Sequence, residues 1–133
     1  MSQKVSAPRL VLSDPSTGTS KTIQLTQQQF LAFRGKKIGD VIEGGPLGLG
    51  DVRIKITGGS DLAGFPMRSD VSGTRLASVL LTRGVGFRAR RKPPSKRKKP
   101  RNRRAVRGLR KRVSVRGNTI GDAIVQINAL VVK

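Results

Sequence analysis

The sequence predicts a mainly β domain: a small antiparallel barrel of about six strands, with a long basic loop and at most one short helix. Three observations lead there. Short stretches of alternating apolar and polar residues recur along the chain, and a period of two is the mark of a half-buried strand. Glycine-rich and proline-containing segments divide them, with 16 Gly and 7 Pro in 133 residues, which leaves little room for long helices. A chain of 133 residues supports a single core, and the edges of so short a sheet stay exposed unless it closes on itself. Residues 1–133 are therefore expected to form one domain.

The elements follow in chain order. LVLS at 10–13 is short and apolar, and Lys21 to Thr26 alternates with Ile23 and Leu25 on one side. Between them, DPSTG at 14–18 carries Asp, Pro, Ser and Gly in the order of a tight connection, so the two strands make a hairpin. QQQFLAFRGK at 27–36 has Phe30, Leu31 and Phe33 and no β-branched residue. One or two helical turns stopped by Gly35 fit this stretch, and an irregular loop pinned by its two Phe fits equally well. IGDVIEGGPLGLGD holds five Gly and a Pro over 39–50 and is too broken for a long regular element.

Asp51 to Thr57 is the clearest strand, with Val52, Ile54 and Ile56 facing a core and Arg53, Lys55 and Thr57 facing water. GGSDLAGFPMR at 58–68 reads as a loop whose Phe65 plugs back into the core. RLASVLLT, Arg75 to Thr82, has apolar residues on both faces and is placed centrally in the sheet. RVSVRGN at 112–118 alternates Val113 and Val115 with Ser114 and Arg116, and Ile124 to Val132 turns Val125, Ile127, Ala129 and Val131 to one face.

Charge is distributed unevenly over this frame. The net charge is +21, from 28 Lys and Arg against 7 Asp and Glu. Residues 83–116 hold 17 of the basic residues and none of the acids, so the other 99 residues carry 11 basic and 7 acidic, a net of +4. In RRKPPSKRKKPRNRR at 90–104, ten of fifteen residues are Lys or Arg. Such a run cannot pack into a core, and it falls between two strands as a loop tethered at both ends. Mixed-sign surfaces provide solubility without this imbalance, so a polyanionic partner is the better explanation.

Most catalytic chemistry is missing. There is no His, Cys or Tyr, which removes the usual general bases and nucleophiles. Asp40 and Glu43 are the only close carboxylate pair and sit in a glycine-rich stretch that suits a turn or cap. Asp51 and Asp61 have no ligand spacing, and neither a metal nor another cofactor is expected. GGPLGLGD at 44–51 lacks the Lys-Ser or Lys-Thr of a phosphate loop and does not fit G-x-G-x-x-G. Its glycines serve tight turns or close backbone approach. No enzyme and no small-molecule substrate are expected. The absence of Cys suits an intracellular setting. No apolar stretch approaches the roughly 20 residues of a membrane span, and MSQKVSAPRLVLSD lacks the apolar region of a secretory signal. A soluble protein with no membrane partner is expected.

The segment's composition narrows the polyanion. Twelve of its 17 basic residues are Arg, whose planar fork grips phosphate and stacks on exposed bases. This leans towards RNA with loops and bulges. Pro93, Pro94 and Pro100 deny the segment a continuous helix, so it threads grooves as an irregular strand ordered by its partner. With four Phe, no Trp and no Tyr, a stacking platform for single strands is not expected. Recognition must then be of shape and backbone, as for a large folded RNA. The contact residues read from charge include Lys92, Lys96, Arg97, Lys98, Lys99, Arg101, Arg103, Arg104 and Arg107.

Three strings occurring in order, GGSDLAGFPMR at 58–68, RLASVLLTRGVGFRARR at 75–91 and RKRVSVRGNTI at 110–120, closely resemble the S6e family of small-subunit ribosomal proteins from archaea and eukaryotes. The similarity runs from about residue 8 to 133. The resemblance implies a β-barrel body that binds ribosomal RNA beside neighbouring ribosomal proteins, with no catalytic activity, in a cytoplasmic, ribosome-bound setting. By the family's motifs, the RNA-facing positions are Arg83, Arg88, Arg90, Arg91, Arg110, Lys111, Arg112 and Arg116, while Gly58, Gly59, Phe65, Pro66 and Met67 match its loop motif. The basic loop at 92–109 looks longer than the family's usual linker. The sequence stops at Lys133 without the long C-terminal extension of eukaryotic members, which resembles the archaeal form, and regulation by kinases is not expected to transfer. Charge alone would equally allow an architectural protein of the nucleoid or chromatin that binds duplex DNA. A minimal nuclease using Asp40, Glu43, Asp51 and Asp61 is a third reading.

Overall fold

The structure is a computed structural model and describes residues 7–88 and 108–132. Strands β1 (Arg9–Asp14) and β2 (Thr19–Gln24) form the expected hairpin, paired from Arg9↔Gln24 to Asp14↔Thr19. The turn residues act as their chemistry suggests. The Asp14 carboxylate accepts from the Ser16 N–H at 3.0 Å and the Ser16 hydroxyl at 2.7 Å, and the Gly18 N–H donates to the Asp14 carbonyl at 2.9 Å.

The stretch at 27–36 resolves to a helix, α1 (Gln27–Phe33). A capping box decides it: the Gln29 N–H donates to the Thr26 hydroxyl at 3.3 Å, and the Gln29 side-chain oxygen accepts from the Thr26 N–H at 3.0 Å. Gly35, one residue beyond the cap, is left-handed at φ 83°, the stop expected of it. The helix delivers Phe33 fully buried into the core, with Phe30 packed at its margin. The broken glycine stretch that follows contains a three-residue strand, β3 (Val41–Glu43), and a single 3₁₀ turn at Gly45–Leu47.

Strands β4 (Arg53–Asp61) and β7 (Ile124–Val132) form the centre of the larger sheet. Ile54 and Ile56 of β4 are buried while Arg53, Lys55 and Thr57 are exposed, as the alternation predicts. β4 continues past Thr57 through GGSD, which the sequence reading assigned to a loop. β7 pairs with that stretch through two register shifts, between Ile56 and Gly58 and between Ser60 and Asp61. At Gly59 a Cβ would strike the Gln126 carbonyl oxygen, so only glycine permits this approach. The second shift turns Ile124 into the core in place of Val125, which is only half-buried. The expected core role of Phe65 is also corrected. Phe65 is half-buried, and Met67 is the residue that seals against the sheet, where its N–H donates to the Gly59 carbonyl at 2.9 Å.

The barrel is not formed. The strands make a five-stranded sheet in the order β2-β1-β7-β4-β3 and a separate two-stranded ribbon of β5 (Leu76–Leu81) and β6 (Lys111–Arg116). Nor is the larger sheet purely antiparallel, because β1 runs parallel to β7, with Leu10 opposite Ile127 and Leu12 opposite Ala129. Its edges are managed without closure: β3 has three residues, and β2 is largely polar. β5, expected to be central, pairs among the described residues only with β6 and leaves Leu76 and Leu80 exposed. The core lies against one face of the larger sheet, where Leu10, Ile54, Ile56 and Ile127 meet Phe33, Met67 and Ile120.

Candidate nucleic-acid interface

The ribbon carries the segment that the charge count singled out. β5 and β6 pair from Leu76↔Arg116 to Leu81↔Lys111, so residues 82–110 leave and return at one end of the same pair. The outgoing chain first makes a tight turn, with the Gly84 and Phe87 N–H groups donating to each other's carbonyls at 3.0 and 3.1 Å. Gly86 lies against Val115 and Leu81, which fixes the turn to the ribbon. Arg68 holds it from the other side: its Nη1 donates to the Val85 carbonyl at 2.6 Å while its Nε stands 2.7 Å from Asp70 Oδ1. Arg83 and Arg88 therefore flank an anchored turn, and both are exposed.

Arg110, Lys111 and Arg112 start the returning strand and are exposed as well. Opposite Leu81 and Leu80, Lys111 and Arg112 belong to the same end of the ribbon as Arg83 and Arg88. Among the described residues no carboxylate lies within ion-pair distance of any of these five cations. Like charges gathered on one short ribbon repel one another, a cost that an anionic partner relieves. Arg90, Arg91, Lys92, Lys96, Arg97, Lys98, Lys99, Arg101, Arg103, Arg104 and Arg107 fall outside the described residues.

Arg116 is employed differently. Its Nε donates to Asp61 Oδ2 at 2.8 Å, and the Asp61 side chain is only 2% exposed. Burial alone would raise the Asp61 pKa, but the Arg116 hydrogen bond, the Phe65 N–H and the Arg116 charge outweigh it and hold the carboxyl below its usual range. The pair joins the ribbon to the end of β4, and the adjacent backbone reinforces it: the Arg116 N–H donates to Pro66 at 2.8 Å and the Arg68 N–H to Arg116 at 3.0 Å. The two partners are 55 residues apart, so no local pattern announces them. A solitary Asp in a glycine-rich loop was the one available signal.

The other carboxylates weighed for chemistry are part of the scaffold or its surface. Asp40 accepts from the Lys37 N–H at 2.9 Å in a turn, Glu43 stands opposite Arg53 on β3, and Asp51 is exposed. Among the described residues no three potential ligands gather into a metal site, and no helix is long and apolar enough to cross a membrane.

Comparison with known proteins agrees with the motif resemblance. The sequence matches the family Ribosomal protein S6e over residues 8–105. It is 42% identical over 125 residues to the small ribosomal subunit protein eS6 of Halorubrum lacusprofundi, covering 94% of this chain and 82% of that protein. It is 44% identical over 126 residues to the eS6 protein of Archaeoglobus fulgidus, covering 94% and 86%. Against the eS6 protein of Methanocaldococcus jannaschii the identity is 40% over 125 residues, covering 94% and 82%. The chain belongs to the ribosomal protein S6e family, which is a family of structural ribosomal proteins and not of enzymes.

Proposed function

We propose that this chain is a structural constituent of the small ribosomal subunit that binds and stabilises folded ribosomal RNA. The larger sheet is the rigid body, and the end of the β5/β6 ribbon with its basic insertion is the RNA-binding part. The observation that carries this reading is the group Arg83, Arg88, Arg110, Lys111 and Arg112, five exposed cations with no acid partner among the described residues, where the insertion leaves and rejoins the fold. The insertion adds the remaining charge. Arg116 supports the site by fixing the ribbon through Asp61.

The mechanism is electrostatic and geometric. Each Lys or Arg on a phosphate releases condensed counterions, with a salt slope of roughly −0.7 to −0.9 per contact. If half of the 17 cations between 83 and 116 engage, log K falls by about 6 to 8 per decade of salt. A tether at both ends aims that charge, whereas a tail would only raise its local concentration. Neighbouring ribosomal proteins and a cytoplasmic, ribosome-bound location follow from this role.

The test is sedimentation of a native extract through a gradient after a high-salt wash, probing for the chain. It should remain with the small ribosomal subunit, and the purified chain should prefer structured RNA to duplex DNA at matched salt. Departure from the subunit together with a preference for duplex DNA would support the nucleoid or chromatin reading instead.

A further inference from the structure

We infer that the outer face of the β5/β6 ribbon is a contact surface for the shallow groove of double-helical RNA, with the Ser78 and Ser114 hydroxyls meeting ribose 2′-hydroxyls. This rests on the RNA-binding reading and adds which face meets a helix and by what chemistry.

Directly opposed residues of an antiparallel pair share a face. Ala77 with Val115, Val79 with Val113 and Leu81 with Lys111 form one face of the ribbon, and Leu76 with Arg116, Ser78 with Ser114 and Leu80 with Arg112 form the other. The first face turns inward. Val115 and Leu81 are buried on it, and Gly86 of the tight turn lies against both. The second is open over most of its length among the described residues: Leu76 is 43% and Leu80 56% exposed, with Ser78 and Arg112 exposed and Ser114 half-buried beside them, and only Arg116 at its far end is turned away to Asp61. Among the described residues no hydrogen bond occupies the Ser78 or Ser114 hydroxyl.

Two exposed leucines flank the hydroxyl pair on this face, and the charged groups around them select the partner. Arg112 stands on the face itself, Arg83, Arg110 and Lys111 cluster at its end, and residues 83–116 contain no acid. An anionic surface complements this face. The chain's own insertion does not, because residues 89–107 hold 11 basic side chains and Val106 as their only large aliphatic one. Nor does the face offer an aromatic ring for stacking on unpaired bases.

The A-form minor groove is wide, shallow and lined with 2′-hydroxyls, so the flat face of a two-stranded ribbon can lie against it. Same-face residues repeat about every 7 Å along a strand. The hydroxyl pair thus sits centrally, Leu76 and Leu80 lie to either side against ribose, and Arg112 reaches the phosphate rim. Hydroxyl-to-hydroxyl contact would distinguish RNA from DNA, because the 2′-hydroxyl is the group that DNA lacks.

The experiment uses the full chain, an RNA duplex of about 16 base pairs and DNA of the same sequence, titrated at several salt concentrations. Two double variants are compared with the parent, Ser78→Ala with Ser114→Ala, and Leu76→Ser with Leu80→Ser. Each should bind the RNA duplex about tenfold more weakly, with DNA affinity and salt slope unchanged because no charge is removed. Unchanged RNA affinity in the serine variant, or equal losses for RNA and DNA, would overturn the inference. If the leucine variant melts early, the serine variant, which deletes only two oxygens, still decides. Retained RNA affinity with lost binding to the ribosomal subunit would assign the face to a protein neighbour and reject the inference. A parent that binds no RNA rejects the RNA-binding reading as well, whereas a parent that binds while the variants match it rejects this inference alone.

Discussion

On β4 the alternate residues Ile54 and Ile56 are sealed from water, while on β5 the alternate residues Leu76 and Leu80 stand 43% and 56% exposed. β4 has only Ile54 and Ile56 as large aliphatic side chains, whereas β5, LASVLL, is much the more apolar of the two. The difference lies in what each has for neighbours. β4 is paired on both edges, by β7 and β3, and its inner face meets the core; among the described residues β5 has β6 alone. Aliphatic content by itself therefore does not say whether a strand will be covered within its own fold. Charge follows the same division, since residues 83–116, from the end of β5 through β6, hold 17 cations and no acid while the rest of the chain has a net charge of +4. One region finds its partners internally, and the other leaves apolar and basic side chains exposed together.

Substitutions can break that contrast, and they rank by their effect on stability. The largest belongs to the sheet. Ile127→Ala, which empties a fully buried position between β1 and β4, should cost about 2–5 kcal/mol in urea unfolding. Leu80→Ala on the ribbon should stay within about 0.5 kcal/mol of the parent, as surface substitutions do. Equal losses would show the ribbon to be as well covered as the core.

Next comes the connection between the two regions. Arg116→Met leaves the Asp61 carboxylate buried without its cation and should cost about 3 kcal/mol. Because the folded pKa of Asp61 lies below its unfolded value, the pair contributes stability above the unfolded carboxylate range and loses it as pH falls through the folded value. Asp61→Asn should accordingly flatten the acid limb of a plot of urea midpoint against pH. An unaltered acid limb would remove Asp61 from the account of how the ribbon is fixed.

A smaller effect is expected at the helix cap. Thr26→Ala removes one side of the capping box and should cost about 1 kcal/mol, read by thermal unfolding. The smallest effect on stability should come from the insertion. Replacing Lys96, Arg97, Lys98 and Lys99 by Gln should leave the melting temperature nearly unchanged, while the salt slope of RNA binding flattens by about 3. A large fall in melting temperature would make the insertion part of the fold.

Much of the local structure was legible in the sequence. The hairpin of β1 and β2 announced itself through DPSTG, β7 was bounded correctly from Ile124 to Val132, and the burial of Ile54 and Ile56 followed from period two. Errors arose where distant segments decide. Val125 yielded to Ile124 because of a register shift set against β4, and Met67 took the place expected of Phe65 because it is the residue that docks on Gly59. For the candidate site, charge density was visible from composition, but the diversion of Arg116 to Asp61 was not.

The sequence by itself determined the strand periodicity, the turns, the family and the concentration of positive charge between two strands, because each depends on residue types close together along the chain. The tertiary structure decided that the strands form an open sheet and a separate ribbon, that β1 lies parallel to β7, and that Leu76 and Leu80 of β5 stay exposed. Those outcomes depend on which strand edges find each other across more than a hundred residues, as Leu10 finds Ile127, and alternation within a strand carries no record of which edge it will meet.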